Sequence, residues 1–162
     1  MIVAIGILAG AAGCTPGSPI SPAHTSTSSP DAPSLGPLGG AKCTPASPIR
    51  LGGSFPEVQG TPTRGDTSLY GWIMAEAPAI RTGNDLKIVW RMVGEGDLRV
   101  TLLAPDGTQH SLSWGPEEHG GSNYIRPGRE WGTGLVFDAT GCWELQFATD
   151  TRAASVWFEP TV

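Results

Sequence analysis

The sequence predicts an all-β domain, an antiparallel β-sandwich, on two observations. Apolar and polar residues alternate with a period of two from Leu69 onward, and no segment shows an amphipathic period of 3.6 residues. The 23 glycines and 15 prolines outnumber the charged residues, a balance typical of short strands and many turns. The expected topology is immunoglobulin-like, with a small barrel as the alternative.

The first 13 residues are apolar or glycine and end at Cys14. Their length suits the apolar region of a signal peptide and is too short for a membrane-spanning helix. The small residues Ala11, Ala12 and Gly13 before Cys14 resemble the lipobox of bacterial lipoproteins. That resemblance implies cleavage before Cys14 and a lipid on its thiol, with the protein anchored to the bacterial membrane on the extracytoplasmic side.

A low-complexity segment, 14–42, follows the leader. Between Thr15 and Ala41 it holds six prolines, many small polar residues and a single charge, Asp31. Such a composition cannot bury enough apolar surface to offset its ordering entropy. We therefore expect a disordered tether at 14–42 and a folded domain at 43–162.

Two cysteines remain once Cys14 carries lipid, and an oxidising compartment favours their pairing. The sequence thus predicts a Cys43–Cys142 disulfide that closes a loop of about 100 residues.

Seven segments follow the strand pattern, and a Pro-Asp-Gly-Thr turn at 105–108 joins two of them into a hairpin. The predicted strands are 69–77, 85–93, 98–104, 109–114, 134–138, 142–149 and 153–160. His110, Leu112 and Trp114 are expected to share one face of the fourth strand.

The segments LLAPDG and GSNYIRPGREWGTGLVFDATGCWELQF resemble uncharacterised bacterial lipoproteins that carry a Gly-Cys-Trp-Glu strand. The resemblance covers roughly residues 43 to 160. It implies the same fold and the same Cys43–Cys142 pairing, and it implies no activity.

The segment 115–134 lacks a clear strand pattern and concentrates the candidate site residues. Three interpretations compete for it. In the first, an ordered loop covers one end of the sandwich, Trp131 fills the edge of the core, and Arg126 or Arg129 pairs with Glu117, Glu118 or Glu130.

In the second interpretation the loop binds a ligand, for instance a glycan or a peptidoglycan fragment. Tyr124 and Trp131 would stack on a sugar, while Asn123, Arg126 and Glu130 would supply hydrogen bonds. Exposed rings would favour this interpretation, and burial of both rings would weaken it.

The third interpretation is a metal site built from His110, His119 and Glu117. Their spacing matches no metal motif, so we expect no metal and no cofactor. The sequence also lacks the Gly-x-Ser-x-Gly and His-Glu-x-x-His motifs, and we expect no enzymatic activity.

A net charge of −5 argues against a nucleic-acid partner. The predicted function is that of a binding or structural module at the bacterial cell envelope, with a glycan or envelope protein as partner and a monomeric state. The alternative is a small envelope protein that binds metal or hydrolyses a substrate through 115–134.

Overall fold

A computed structural model describes residues 43, 44, 46–52, 55–75 and 80–162. The predicted signal peptide at 1–13, the predicted lipidation site Cys14 and the predicted tether at 14–42 lie outside these residues. Among the residues that are described, no helix is long and apolar enough to cross a membrane.

The described residues contain eleven β-strands and no helix. The strands are β1 (Ile49–Gly52), β2 (Phe55–Gln59), β3 (Thr61–Arg64), β4 (Leu69–Ile73), β5 (Asp85–Met92), β6 (Arg99–Leu103), β7 (Gln109–His110), β8 (Trp114–Glu118), β9 (Arg129–Val136), β10 (Trp143–Ala148) and β11 (Ala153–Phe158). They form two antiparallel sheets, a larger one in the order β1-β2-β4-β5-β9-β8 and a smaller one in the order β3-β11-β10-β6-β7. The predicted all-β sandwich class is confirmed.

The core lies between the two sheets and follows the predicted alternation. In β5, Leu86, Ile88, Trp90 and Met92 are buried, whereas Lys87 between them is exposed. Burying a large apolar side chain contributes roughly 1.5–3 kcal/mol, so this one strand supplies a substantial part of the folding free energy.

Trp90 joins the two sheets at the centre of the core. Its ring centroid lies 4.4 Å from that of Phe147 on β10 of the smaller sheet. Its indole N–H donates a hydrogen bond of 2.8 Å to the hydroxyl of Thr133 on β9. The buried polar atom is therefore satisfied inside an apolar layer.

The predicted hairpin at 105–108 is present. Asp106 accepts hydrogen bonds from the backbone N–H and the hydroxyl of Thr108, and Gly107 has a φ of 83°. These bonds hold the pKa of the Asp106 carboxyl below its usual value. The turn thus uses the residue types that its geometry requires.

The strand predicted at 109–114 is wrong in extent. β7 ends at His110, and Trp114 begins β8 in the other sheet, so His110 and Trp114 do not share a face. The chain crosses from one sheet to the other between these two strands. A period of two records the alternation of side chains and carries no information about which sheet receives them.

The prediction that 115–134 lacks strands is also wrong. β8 and β9 pair in antiparallel fashion, with Glu118 opposite Trp131, and the true loop is 119–128. Strand β9 begins at Arg129, whereas the sequence pattern placed its start at residue 134. The glycines at 132 and 134 hide its alternation, because they remove two side chains from one face. No strand was predicted before residue 69, where the structure has β1, β2 and β3.

The predicted disulfide is present, with the sulfur atoms of Cys43 and Cys142 at 2.08 Å from each other. Cys142 directly precedes β10, the strand that pairs with β11 and β6. The bond therefore fastens the first described residue of the domain to the centre of the smaller sheet.

Removing this bond is expected to lower the free energy of unfolding by about 4–5 kcal/mol, because the two cysteines are 99 residues apart and loop-closure entropy grows with that separation. The check is urea unfolding of the Cys43→Ser, Cys142→Ser chain in detergent against the parent chain. Cys14→Ser, which removes the third thiol and keeps the bond, is the control. A loss below about 1 kcal/mol would contradict this expectation.

Candidate functional site

The outward face of the larger sheet carries a band of polar and aromatic side chains. Residues directly opposite one another in neighbouring strands share a face of the sheet. The registers Arg50–Glu57, Glu57–Trp72, Tyr70–Arg91 and Arg91–Glu130 therefore place these side chains together on one surface. We call this surface the outer face of the larger sheet.

The loop 119–128 folds over this outer face through Tyr124. The Tyr124 ring stacks on Trp72 of β4, with centroids 5.2 Å apart and planes 14° apart. Its hydroxyl donates a hydrogen bond of 2.9 Å to Oε2 of Glu57 on β2. Phe55 contacts the same Trp72 edge-on. The loop is thus packed against the sheet by an aromatic stack that ends in a buried hydrogen bond.

Arg126 supplies the second contact between the loop and Glu57. Its Nη2 lies 2.9 Å from Oε1 and its Nε lies 2.8 Å from Oε2, a bidentate arrangement. Its guanidinium also lies over the ring of Tyr70, 5.3 Å from the centroid. The hydrogen bond to Glu57 raises the pKa of Arg126. The Glu57 carboxylate is therefore buried only in company with a cation and a phenol, which offsets its desolvation.

Glu130 on β9 is the second buried carboxylate of this face, with its side chain 1% exposed. Nη2 of Arg91 lies 2.8 Å from its Oε2, and the hydroxyl of Ser122 donates to the same oxygen. Nδ1 of His119 lies 2.8 Å from Oε1. That contact is a close approach rather than an aligned hydrogen bond, since Oε1 has no hydrogen-bond donor among the described residues. Glu130 holds the start of the loop as Glu57 holds its end.

Trp114 is the exposed aromatic side chain of the outer face, with 37% of its surface accessible. Its indole lies across Gly134 and Gly132 of β9. A Cβ built on Gly134 would overlap Nε1 of the indole, and one on Gly132 would lie 3.0 Å from its Cη2. The ammonium of Lys87 is 5.8 Å from the ring centroid. The two glycines therefore leave a bare stretch of strand that seats a large aromatic ring at the surface.

A polar cleft of about 350 Å³ opens beside Arg126. Its lining comes from β1, β2, β4 and the loop, and includes Pro48, Arg50, Glu57, Gln59, Tyr70 and Arg126. A cleft of this volume matches the lower end of small-molecule binding sites.

The two aromatic residues that were predicted to stack on a ligand are buried. Tyr124 is 6% exposed and Trp131 is 2% exposed, and Trp131 belongs to the core. Neither ring offers a face to a sugar. Burial of both rings weakens the interpretation in which the two rings bind a ligand. Of the predicted hydrogen-bonding residues, Asn123 and Arg126 are exposed and Glu130 is buried.

The interpretation of the segment as packed structure agrees with more of the contacts. Trp131 fills the core, and Arg129 forms a bidentate pair with Glu118 that holds the pKa of Glu118 below its usual value. Arg126 pairs with Glu57, which lies 69 residues away in the chain and was not among the predicted partners. The loop covers the outer face of the larger sheet instead of an end of the sandwich.

The histidines considered for a metal site lie on different elements, His110 at the end of β7 and His119 in the loop after β8. Nδ1 of His110 is 3.7 Å from Asp138, whereas His119 contacts Glu130. In the part of the chain that the structure describes, no group of three or more His, Cys, Asp or Glu side chains could hold a metal ion. The set of His110, His119 and Glu117 does not assemble.

Comparison of the chain with protein-family models, with curated proteins and with solved structures finds no match. The disulfide and the geometry of the outer face are therefore the observations that bear on function. The resemblance to lipoproteins with a Gly-Cys-Trp-Glu strand stays a prediction.

Burial first, and then the hydrogen bond to Glu57, raise the pKa of the Tyr124 hydroxyl well above its usual value. A tyrosine with a raised pKa in the folded state stabilises the fold below its ordinary pKa near 10, and this contribution is lost as the pH rises beyond it. We expect the free energy of unfolding to fall above about pH 10, by up to about 1.4 kcal/mol for each pH unit.

The measurement is urea unfolding at pH 8 to 11. Tyr124→Phe is expected to reduce the alkaline loss and to cost about 1–3 kcal/mol at pH 8, because the buried Glu57 loses a donor. Tyr70→Phe, which keeps Tyr124, serves as the matched control and should retain the alkaline loss. An identical alkaline slope in Tyr124→Phe would show that another group is responsible.

Proposed function

We propose that this protein is a lipid-anchored binding module on the extracytoplasmic side of a bacterial membrane. The observation that carries the proposal is the Cys43–Cys142 disulfide, because disulfides persist in oxidising compartments and are rare in the cytosol. A signal peptide at 1–13, a lipid on Cys14 and a tether at 14–42 complete the arrangement that the sequence predicts.

The proposal includes an immunoglobulin-like sandwich for residues 43–162. Two strand orders support it: β4-β5-β9-β8 in the larger sheet and β11-β10-β6-β7 in the smaller one. Immunoglobulin-like sandwiches arrange strands A-B-E-D and G-F-C-C′ in these orders. On this reading β1 and β2 extend the first sheet beyond strand A.

The outer face of the larger sheet is the binding surface in this proposal. Trp114 supports this, since its indole is seated on two glycines, is partly accessible to solvent and has the ammonium of Lys87 over the ring. Glycans of the envelope are the ligand class that such a surface suits, because the apolar side of a sugar ring stacks on an aromatic ring while its hydroxyl groups bond to flanking polar side chains. The module acts as a monomer with the membrane as its fixed partner.

The test of the anchor is the intact mass of the full chain after expression in a bacterial host, with and without reductant. The expected species begins at Cys14, carries a diacylglycerol and gains two hydrogens on reduction. Cys14→Ser is the control and should leave the lipid off while the disulfide remains. An unmodified chain that retains residues 1–13 and carries free thiols instead of the disulfide would overturn the anchor and the compartment together.

The binding role is tested by sedimentation of the lipidated chain, in detergent, with purified peptidoglycan sacculi. Trp114→Ala is expected to weaken binding about twofold to tenfold, because an aromatic contact supplies roughly 0.5–1.5 kcal/mol beyond the area it buries. Trp157→Ala, which removes an indole from the smaller sheet, is the matched control. Equal sedimentation of the parent chain and Trp114→Ala would remove Trp114 from the binding surface.

A further inference from the structure

We propose that the polar cleft lined by β1, β2, β4 and the loop 119–128 binds an oxyanion, the carboxylate or phosphate group of a small ligand. The inference rests on the proposed binding function and names the chemistry of a second contact point on the same outer face. It uses residues that are separate from Trp114.

The guanidinium of Arg126 is fixed in the cleft with part of its donor capacity unused. Arginine has five N–H groups. Three of them serve the Glu57 carboxylate and the backbone carbonyl of Ile125, through Nε, Nη2 and Nη1. One N–H on each of Nη1 and Nη2 remains, and both can donate charge-assisted hydrogen bonds to a carboxylate or phosphate.

The fixed orientation of Arg126 matters for affinity. Glu57 holds two of its nitrogens, and its Cζ lies over the ring of Tyr70, 5.3 Å from the ring centroid. A side chain that is already ordered loses less rotational freedom when a ligand binds. Arg126 is therefore preorganised, whereas an ordinary surface arginine is not.

Arg50 supplies a second positive charge to the same cleft. It stands opposite Glu57 in the register of β1 and β2, and it is exposed. Glu57, by contrast, has both carboxylate oxygens occupied by Arg126 and Tyr124. Arg50 makes no hydrogen bond or ion pair with any residue that the structure describes, so its donors are available to a ligand.

The charge balance of the cleft favours an anion. Two arginines face one carboxylate, which leaves a net charge of about +1 in a chain whose overall charge is −5. Tyr70 and Gln59 line the same cleft and can donate hydrogen bonds to neutral parts of the ligand. A volume of about 350 Å³ accommodates a single acidic sugar or a molecule of similar size.

The experiment is calorimetric titration of the full lipidated chain in detergent with three probes: galacturonate, glycerol 3-phosphate and galactose. At least one anion is expected to bind at least about tenfold more tightly than galactose, which lacks a charge for the two arginines to recognise. Binding of galacturonate alone identifies a carboxylate ligand, and binding of glycerol 3-phosphate alone identifies a phosphate ligand. Binding of both supports a general oxyanion site.

Arg50→Ala is the decisive variant, because the side chain is exposed and forms no hydrogen bond or ion pair with a described residue, so the fold is expected to stay intact. It is expected to weaken anion binding at least about tenfold, as loss of a charged hydrogen bond does. Arg99→Ala removes the same charge from the smaller sheet and should leave the affinity unchanged. The proposal is overturned if neither anion binds, or if Arg99→Ala weakens binding as much as Arg50→Ala does. If either of these results is obtained and Trp114→Ala still loses sedimentation with sacculi, the oxyanion proposal fails while the broader binding function stands.

Discussion

The buried carboxylate of Glu57 is the interaction on which the outer face depends. It receives Arg126 and Tyr124 from the loop while its own backbone belongs to β2, so one side chain joins the loop to the sheet. Removing a donor from this buried carboxylate is expected to cost about 1–3 kcal/mol, because the remaining oxygen loses its hydrogen-bond partner. The loop can leave the sheet only by exposing this carboxylate, and the polar cleft keeps its shape for the same reason.

Glu130 repeats this design at the other end of the loop. It is held by Arg91 from the neighbouring strand and by Ser122 from the loop, with His119 close by. Two buried acids thus hold the ten-residue loop 119–128 near its two ends, while Ile125 within the loop is largely exposed. The contacts with Glu57 hold Arg126 in one orientation. Beyond Glu130, Gly132 and Gly134 of β9 leave room for the indole of Trp114.

The accuracy of the sequence predictions followed the kind of signal that each element carries. Strands β5, β10 and β11 were predicted because each buries one face in the core, which imposes strict alternation on its residues. Strand β9 was predicted only in its last residues. Gly132 and Gly134 have no side chains, because Trp114 covers the strand there, and the alternation of side chains is therefore hidden. The site residues Arg126 and Glu130 were singled out from a segment rich in charge and turns, yet their partners Glu57 and Arg91 were not. Those partners lie on strands that the loop meets only in the folded state.

The sequence by itself determined the all-β class, the hairpin at 105–108 and the pairing of Cys43 with Cys142, because alternation, turn chemistry and an even number of remaining cysteines are local or countable properties. Tertiary structure alone decided which sheet receives Trp114, which face Tyr124 covers and which cation neutralises each buried acid. Tyr124 and Glu57 are 67 residues apart in the chain and 2.9 Å apart in space. No local pattern encodes that distance, since it arises from the packing of a loop onto strands that are positioned by the whole sandwich.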